Sequence, residues 1–160
     1  MKKILNFLID VGKLKRMPRK CWIINQIKNP ESIASHVFRA TLITWILGKK
    51  KGLNEEKILK MTLIHEISKV YMPDTTPYEH IPLQKEKKEW QVISRLISKL
   101  PQKLKREIKS LWIDYKRGLT SEGKFVFQAE RLDNLLQAIE YWKKYKKPPL
   151  LPWWFWAREF

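Results

Sequence analysis

The chain has 160 residues, of which 44% are hydrophobic and eight are tryptophan, so it is expected to fold around a core and not to stay disordered. Its 33 lysines and arginines outnumber 16 acidic residues, and the net charge of +17 favours contact with polyanions. No stretch reaches the roughly 18–20 unbroken apolar residues of a membrane span, and the single cysteine, Cys21, is typical of a reducing cytoplasm.

The first half of the chain predicts three helices. Residues 1–15 carry one apolar stripe and are expected to form an N-terminal helix that lies on the core. The tripeptide Asn-Pro-Glu at 29–31 has the order N-cap, first-turn proline and first-turn acid, which predicts a helix that runs to about Leu47. Asn54 precedes two glutamates and predicts the start of the next helix, which continues towards Val70.

The second half begins with a predicted loop, because residues 71–82 contain three prolines. Residues 84–99 and 102–116 have the apolar spacing of two further helices. Thr120 predicts the cap of a long last helix that ends at about Tyr145.

The C-terminal residues 148–160 are strongly aromatic and are expected to form a cover over the helices. The alternative is that this segment makes a contact with a second copy or with a membrane surface. No pair of strands and no repeat is recognisable. The sequence therefore predicts a single all-α domain over residues 1–160, built as a bundle of about six helices.

A histidine and a glutamate stand side by side in the middle of the apolar stretch Ile58–Val70. The helical spacing carries His65 and Glu66 into or beside the core, where both are costly to bury without a partner. A divalent metal satisfies an imidazole and a carboxylate together, and a second histidine, His36, lies upstream. The alternative is that His65 is a hydrogen-bonded core residue and Glu66 a solvated one.

Three segments together resemble the HD superfamily of metal-dependent phosphohydrolases. They are Asn-Pro-Glu-Ser-Ile-Ala-Ser-His at 29–36, the helix that ends in His-Glu at 65–66, and Phe-Val-Phe-Gln-Ala-Glu-Arg-Leu-Asp-Asn at 125–134. From about Leu14 to Trp142 the chain is similar to the branch of 5′-deoxynucleotidases and HD-domain-containing-protein-2-like proteins. The resemblance implies a helical HD fold and the hydrolysis of a phosphomonoester with a divalent metal.

The resemblance also implies the metal ligands. His36, His65, Glu66 and Glu130 occupy the four positions that bind the metal in this family, and manganese, cobalt, zinc, iron or magnesium is the expected ion. Two of the four depart from the pattern, because the family has aspartate where this chain has Glu66 and Glu130. Asp133 lies one turn beyond Glu130 on the same predicted helix.

Residues for catalysis and substrate binding follow from the same resemblance. Asp74 matches an acid that positions the nucleophile, although an isolated turn carboxylate is the alternative. Lys69 stands where the branch has a catalytic glutamate, which inverts the charge and allows a pairing with phosphate or with the neighbouring glutamate. Arg19, Trp22 and Arg39 are the candidate substrate contacts, with a buried structural role for Trp22 as the alternative.

The sequence thus favours an HD-type phosphohydrolase that acts on a nucleoside monophosphate or a similar phosphomonoester. The alternative function is a non-catalytic HD domain that binds nucleic acid or a polyphosphate, which the altered motif and the charge of +17 favour. The expected partner is a phosphorylated small molecule, and the sequence leaves nucleic-acid binding and a homodimer open. A cytoplasmic location is expected.

Overall fold

The computed structural model describes residues 1–74 and 85–157, and every regular element in these ranges is helical. The α-helices are α1 (Lys2–Val11), α2 (Lys20–Ile24), α3 (Ile33–Lys50), α4 (Glu55–Ile64), α5 (Lys85–Ile97), α6 (Gln102–Arg117), α7 (Ser121–Tyr145) and α8 (Leu150–Ala157). Two 3₁₀ helices, Gly12–Arg16 and Ile67–Val70, follow α1 and α4. The all-α prediction is confirmed, and the short α2 and α8 were not expected. The loop predicted at 71–82 lies mostly outside the described residues.

The predicted helix boundaries at Asn54 and Thr120 are confirmed by side-chain caps. The Oδ1 atom of Asn54 accepts a hydrogen bond from the backbone N of Lys57 at 3.0 Å, and α4 starts there. The Oγ1 atom of Thr120 accepts one from the backbone N of Gly123 at 3.2 Å, which starts α7. Each cap satisfies a first-turn N–H that the helix itself leaves unpaired.

The predicted start of α3 at Asn29 is wrong. The helix begins at Ile33, and its N-cap is Ser32, whose Oγ accepts a hydrogen bond from the backbone N of Ser35 at 3.1 Å. The chain before it is extended because the backbone N of Ile33 donates to the carbonyl O of Met17 at 2.8 Å. This tertiary pairing outweighs the local Asn-Pro-Glu signal.

The site-bearing helices are α3, α4 and α7. Helix α3 packs against both α4 and α7, and α4 also contacts α7. A separate apolar cluster ties the first 3₁₀ helix and α3 to the second 3₁₀ helix, α5 and α6. Its buried members include Leu14, Ile33, Ile67, Ile93, Leu96 and Trp112. Polar residues at the junction of α3, α4 and α7 are therefore held between well-packed helices.

Helix α8 packs against α7 and buries part of its aromatic surface there. Trp153 is 2% exposed and belongs to an apolar cluster with Tyr141 of α7. Trp154 and Phe155 face outward and are 60% and 53% exposed. No helix in the described part of the chain has the combined length and apolarity that would let it cross a membrane.

Replacing Gly123 with alanine is expected to destabilise the fold by about 2–3 kcal/mol. A Cβ atom at this position would lie 2.3 Å from Oδ1 and 2.7 Å from the backbone O of Asp114, so α7 and the end of α6 would have to separate. Urea unfolding measures the change. Gly12→Ala is the control, because its Cβ would meet nothing within 4 Å. Equal midpoints for the two variants would contradict the close approach of α6 and α7.

Candidate metal centre

Two histidine rings meet between α3 and α4. The Nε2 atoms of His36 and His65 lie 3.3 Å apart, and both residues are buried. His65 directly follows the last residue of α4, and its Nδ1 donates to the carbonyl O of Thr62 at 2.6 Å. The Nδ1 atom of His36 lies 2.6 Å from Oδ2 of Asp133 on α7. Each ring is thus held through Nδ1, and each turns Nε2 towards the other.

The protonation state of His65 leaves its Nε2 available as a ligand. Burial lowers the pKa of His65 to about 4, so the ring is neutral near pH 7. A carbonyl oxygen only accepts, so the single ring hydrogen sits on Nδ1 and the lone pair on Nε2. Anchoring one ring nitrogen to a carbonyl or a carboxylate is how proteins orient metal-binding histidines.

Glu66 adds a carboxylate to the two imidazoles. Ligand atoms of His36, His65 and Glu66 all lie within 4.8 Å of one another. Burial raises the pKa of Glu66, but the positive charges of Lys69 and Arg19 outweigh it and bring the pKa down to about 2. Two imidazole nitrogens and one ionised carboxylate form a donor set that suits manganese, cobalt, zinc or iron.

The fourth predicted ligand, Glu130, does not join this cluster of ligand atoms. Its Oε1 accepts a hydrogen bond from Nδ2 of Asn134 at 2.8 Å, four residues further along α7. Burial raises the pKa of Glu130 above its ordinary value, whereas the pKa of Glu66 is lowered. The two glutamates that replace the family's aspartates therefore differ in their environments.

Arg19 joins these two carboxylates from the start of α2. Its NH1 donates to Oε1 of Glu66 at 2.7 Å, and its NH2 donates to Oδ1 of Asn134 at 2.6 Å. The same NH2 lies 4.0 Å from Oε1 of Glu130. The guanidinium is buried, and its Nε makes no hydrogen bond to the described residues.

Lys69 and Asp74 form a buried ion pair at the edge of the cluster. The Nζ of Lys69 lies 3.2 Å from Oδ1 of Asp74, and the backbone N of Lys20 donates to Oδ2 of Asp74 at 3.0 Å. Burial lowers the pKa of Lys69, but Glu66 and Asp74 raise it above its ordinary value, so the amine stays charged. A lysine cation therefore faces the acidic side of the candidate centre.

Trp22 and Arg39, the other two predicted substrate contacts, also have protein partners. Trp22 has no exposed surface, packs against Trp153 with ring centroids 4.6 Å apart, and donates from Nε1 to Glu31 at 2.9 Å. Arg39 donates from Nε to Oδ1 of Asp133 at 2.5 Å. Arg39 thus holds the carboxylate that contacts His36, Trp22 is a core residue, and the substrate-binding roles of both stay predictions.

One supporting residue was missed in the sequence. Asn134 is fully buried, accepts from Arg19 and donates to Glu130, so it links two predicted site residues. Asn134 lies four residues after Glu130, so both residues share one face of a helix. This spacing could have identified Asn134 from the sequence. Asp133 was noted in the sequence only as a neighbour of Glu130. In the structure its carboxylate contacts Nδ1 of His36 and holds that ring.

Comparisons with known proteins agree with the helical fold and identify the family of the chain. The HD domain family matches residues 11–150. A 5'-deoxynucleotidase HDDC2 from Xenopus laevis is 34% identical over 148 residues, which cover 92% of this chain and 73% of that protein. The human protein of the same name is 31% identical over 92% of this chain and 72% of its own length.

A solved protein structure is also similar to this chain. The conserved hypothetical protein from Pyrococcus furiosus superposes with a TM-score of 0.83 at 32% identity, over 97% of this chain and 88% of that one. The fold and the cluster define a helical protein with a candidate metal centre. The chain belongs to the HD-domain family, and the family predicted from its sequence is confirmed.

Acidification is expected to destabilise the metal-free protein through His65. The folded-state pKa of about 4 lies below the ordinary histidine pKa of 6.5, so the unfolded chain binds the proton more readily. Above the unfolded-state pKa, this difference contributes fully to the free energy of unfolding. The contribution falls as the pH drops towards the folded-state pKa, and about 3 kcal/mol is lost in total. Urea unfolding in chelator over this pH range measures it. The His65→Asn variant should show a shallower pH dependence, and parallel curves would contradict the assignment.

Proposed function

We propose that this HD-domain protein is a metal-dependent phosphohydrolase that removes phosphate from a nucleoside monophosphate. The observation that carries the proposal is the convergence of ligand atoms of His36, His65 and Glu66 within 4.8 Å of one another, with the two Nε2 atoms 3.3 Å apart. Relatives that carry the name 5'-deoxynucleotidase support a deoxynucleoside 5'-monophosphate as the substrate class.

The residues present fit a divalent cation. His36, His65 and Glu66 would hold it, because both histidines are oriented through Nδ1 and Glu66 is ionised. A bound cation supplies polarisation of the phosphoryl group and activation of a water molecule. Glu130 is the proposed fourth ligand, although Arg19 and Asn134 hold its carboxylate in this structure.

Arg19 and Lys69 are the proposed phosphate contacts. Both are buried cations next to the acidic cluster, and Nε of Arg19 is a donor that the described residues do not use. A guanidinium matches the geometry of phosphate oxygens, and an ammonium acts as a point charge. Together they would neutralise the phosphate dianion as it enters a site that already contains carboxylates.

Asp74 is the proposed residue for orienting the attacking water. Its carboxylate is held on one oxygen by Lys69 and on the other by the backbone N of Lys20, so its position is fixed beside the centre. A carboxylate in this place accepts a hydrogen bond from water and so directs the lone pair of the water oxygen at phosphorus. The reaction yields the nucleoside and inorganic phosphate.

A phosphate-release panel tests the substrate class. Purified protein with added manganese or cobalt is offered deoxynucleoside 5'-monophosphates, the corresponding ribonucleotides and deoxynucleoside 3'-monophosphates at equal concentration. Release from the deoxynucleoside 5'-monophosphates above the other two groups supports the proposal. Release only from unrelated phosphomonoesters such as a sugar phosphate would contradict the nucleotide assignment.

A metal-free anion-binding domain is the second candidate function. Glu66 already pairs with Arg19 at 2.7 Å, and Lys69 places a further cation beside it, which favours a pocket whose carboxylates are neutralised without a metal. Isothermal titration with manganese separates the two functions. Heat of binding that vanishes in His65→Asn favours the enzyme, and no binding by the wild-type protein favours the second candidate.

Location and assembly follow as lesser proposals. Cys21 is a buried free thiol, which is typical of a reducing compartment such as the cytoplasm. A homodimer stays a prediction, for which the exposed aromatic side chains of Trp154 and Phe155 on α8 are a candidate contact.

A further inference from the structure

A basic groove runs between α5 and α6. It consists of two adjoining cavities of about 410 and 490 Å³, which share Trp90 and Lys109 as lining residues. Both volumes fall within the range of small-ligand sites. We call this feature the α5–α6 groove.

The helix spacing explains why cations line this groove. On α6, Lys105 and Lys109 are four residues apart and share a face, and Arg106 borders them. Glu107 lies between Lys105 and Lys109 in sequence, but it points away from the groove: its Oε1 accepts a hydrogen bond from Nζ of Lys60 on α4 at 2.5 Å. Glu107 therefore does not neutralise the cationic face of α6.

The charge of the groove is strongly one-sided. Among the residues that the structure describes, its lining includes one carboxylate, Glu86, whose Oε1 lies 3.2 Å from NH2 of Arg117. The same part of the chain contributes five cationic side chains to the two cavities: Lys87, Lys105, Arg106, Lys109 and Arg117. Like charges held along one surface repel one another, and a chain of phosphates relieves that repulsion while it releases counterions.

An aromatic ring lies where the two cavities meet. Trp90 is half-buried, and the Nζ of Lys109 lies over its ring at 5.2 Å from the centroid. Trp112 supports the ring from the core side, with centroids 5.6 Å apart. A supported indole between cations is the arrangement on which an unpaired base stacks while its phosphates follow the charges.

The groove is separate from the candidate metal centre. Neither cavity is lined by His36, His65 or Glu66. Glu89, the residue before Trp90, faces the other way: it is 3% exposed, pairs with Lys116 at 2.7 Å and acts on the pKa of Lys69. One side of α5 thus faces the centre, and the other faces the groove.

We propose that the α5–α6 groove binds single-stranded nucleic acid, independently of the phosphohydrolase site. Phosphates lie along Lys105, Arg106 and Lys109, and one base stacks on Trp90. A duplex is less well matched because its bases are already stacked and leave the indole without a role. An acidic peptide would use the charges but has no flat group for the ring.

Fluorescence anisotropy with the full chain tests the proposal. The probe is a labelled oligothymidylate of about 12 nucleotides, titrated between about 50 and 200 mM salt. The double variant Lys105→Ala/Lys109→Ala is expected to bind at least about 10-fold more weakly and to lose about 0.7 of the logarithmic salt slope for each lysine. The matched control Lys143→Ala/Lys144→Ala removes equal charge from α7 and should change affinity by less than about two-fold.

Trp90→Leu tests the stacking contact at constant charge. It is expected to weaken binding by about five-fold or more with an unchanged salt slope, and a thermal melt verifies that the variant is folded. The double lysine variant should hydrolyse nucleotide at the wild-type rate, so failure of binding and failure of the proposed enzyme are distinguished. Equal losses in the groove and control variants, equal binding of duplex, or displacement of the probe by an acidic peptide at equal charge would each overturn the proposal.

Discussion

The His65→Asn variant is expected to fold and to release phosphate from a deoxynucleoside 5'-monophosphate at least about 100-fold more slowly than the wild-type protein. Asparagine places its amide nitrogen near the position of Nδ1, so the hydrogen bond to the carbonyl of Thr62 can be kept. It has nothing at the position of Nε2, which lies 3.3 Å from Nε2 of His36. The substitution thus removes the ligand atom and spares the anchor.

The matched variant His65→Gln is expected to keep a ligand atom for the metal and to lose the hydrogen bond to Thr62. Glutamine reaches the position of Nε2 but leaves the carbonyl of Thr62 without its donor, so it should retain more manganese affinity than asparagine and be less stable. Isothermal titration and urea unfolding measure both quantities. Phosphate release by His65→Asn at the wild-type rate would show that His65 is the hydrogen-bonded core residue of the alternative interpretation.

The Lys69→Met variant is expected to bind manganese roughly 10-fold more tightly and to be about 3 kcal/mol less stable than the wild-type protein. The ammonium of Lys69 lowers the pKa of Glu66 and therefore also opposes a cation held by that carboxylate. Methionine fills a similar volume without charge. The fold loses stability because Asp74, whose Oδ1 lies 3.2 Å from Nζ of Lys69, is buried and loses that cation.

The control for this prediction is Lys69→Arg, which keeps the charge. It should leave both the manganese affinity and the stability closer to the wild-type values than methionine does. Opposite signs for affinity and stability identify Lys69 as a structural cation that competes with the metal. Weaker manganese binding in Lys69→Met would instead show that the ion pair with Asp74 orders the centre for metal.

Local signals predicted much of the fold. Asn54 and Thr120 cap their helices as expected, because a cap involves residues only three apart and little else competes for its side chain. The predicted helix over 102–116 ends close to where expected, because Gly118 follows it with φ 56°, a left-handed conformation that favours glycine. Asn29 failed as a cap since the segment before α3 pairs with a distant backbone, which no local pattern reveals.

The candidate site was predictable as a set of residue types but not as a network. The resemblance predicted Arg19 as a substrate contact and Glu66 as a metal ligand. It did not predict that the two residues, 47 positions apart, form an ion pair at 2.7 Å. Whether Glu130 faces the histidines depends on the packing of α7 against α3, which spacing along one helix does not determine. Trp22 was a candidate substrate contact. Its packing against Trp153 depends on the placement of α8, which the sequence does not reveal.

Phosphate release by chelator-stripped protein, before and after a metal is returned, tests the proposed metal-dependent hydrolysis most directly. The stripped wild-type protein should release no more phosphate from a deoxynucleoside 5'-monophosphate than the His36→Asn variant does. Manganese or cobalt should then restore repeated turnover in the wild-type protein alone. Full turnover without metal, or none with manganese, cobalt, zinc, iron or magnesium, would contradict a metal-dependent phosphohydrolase centred on His36, His65 and Glu66.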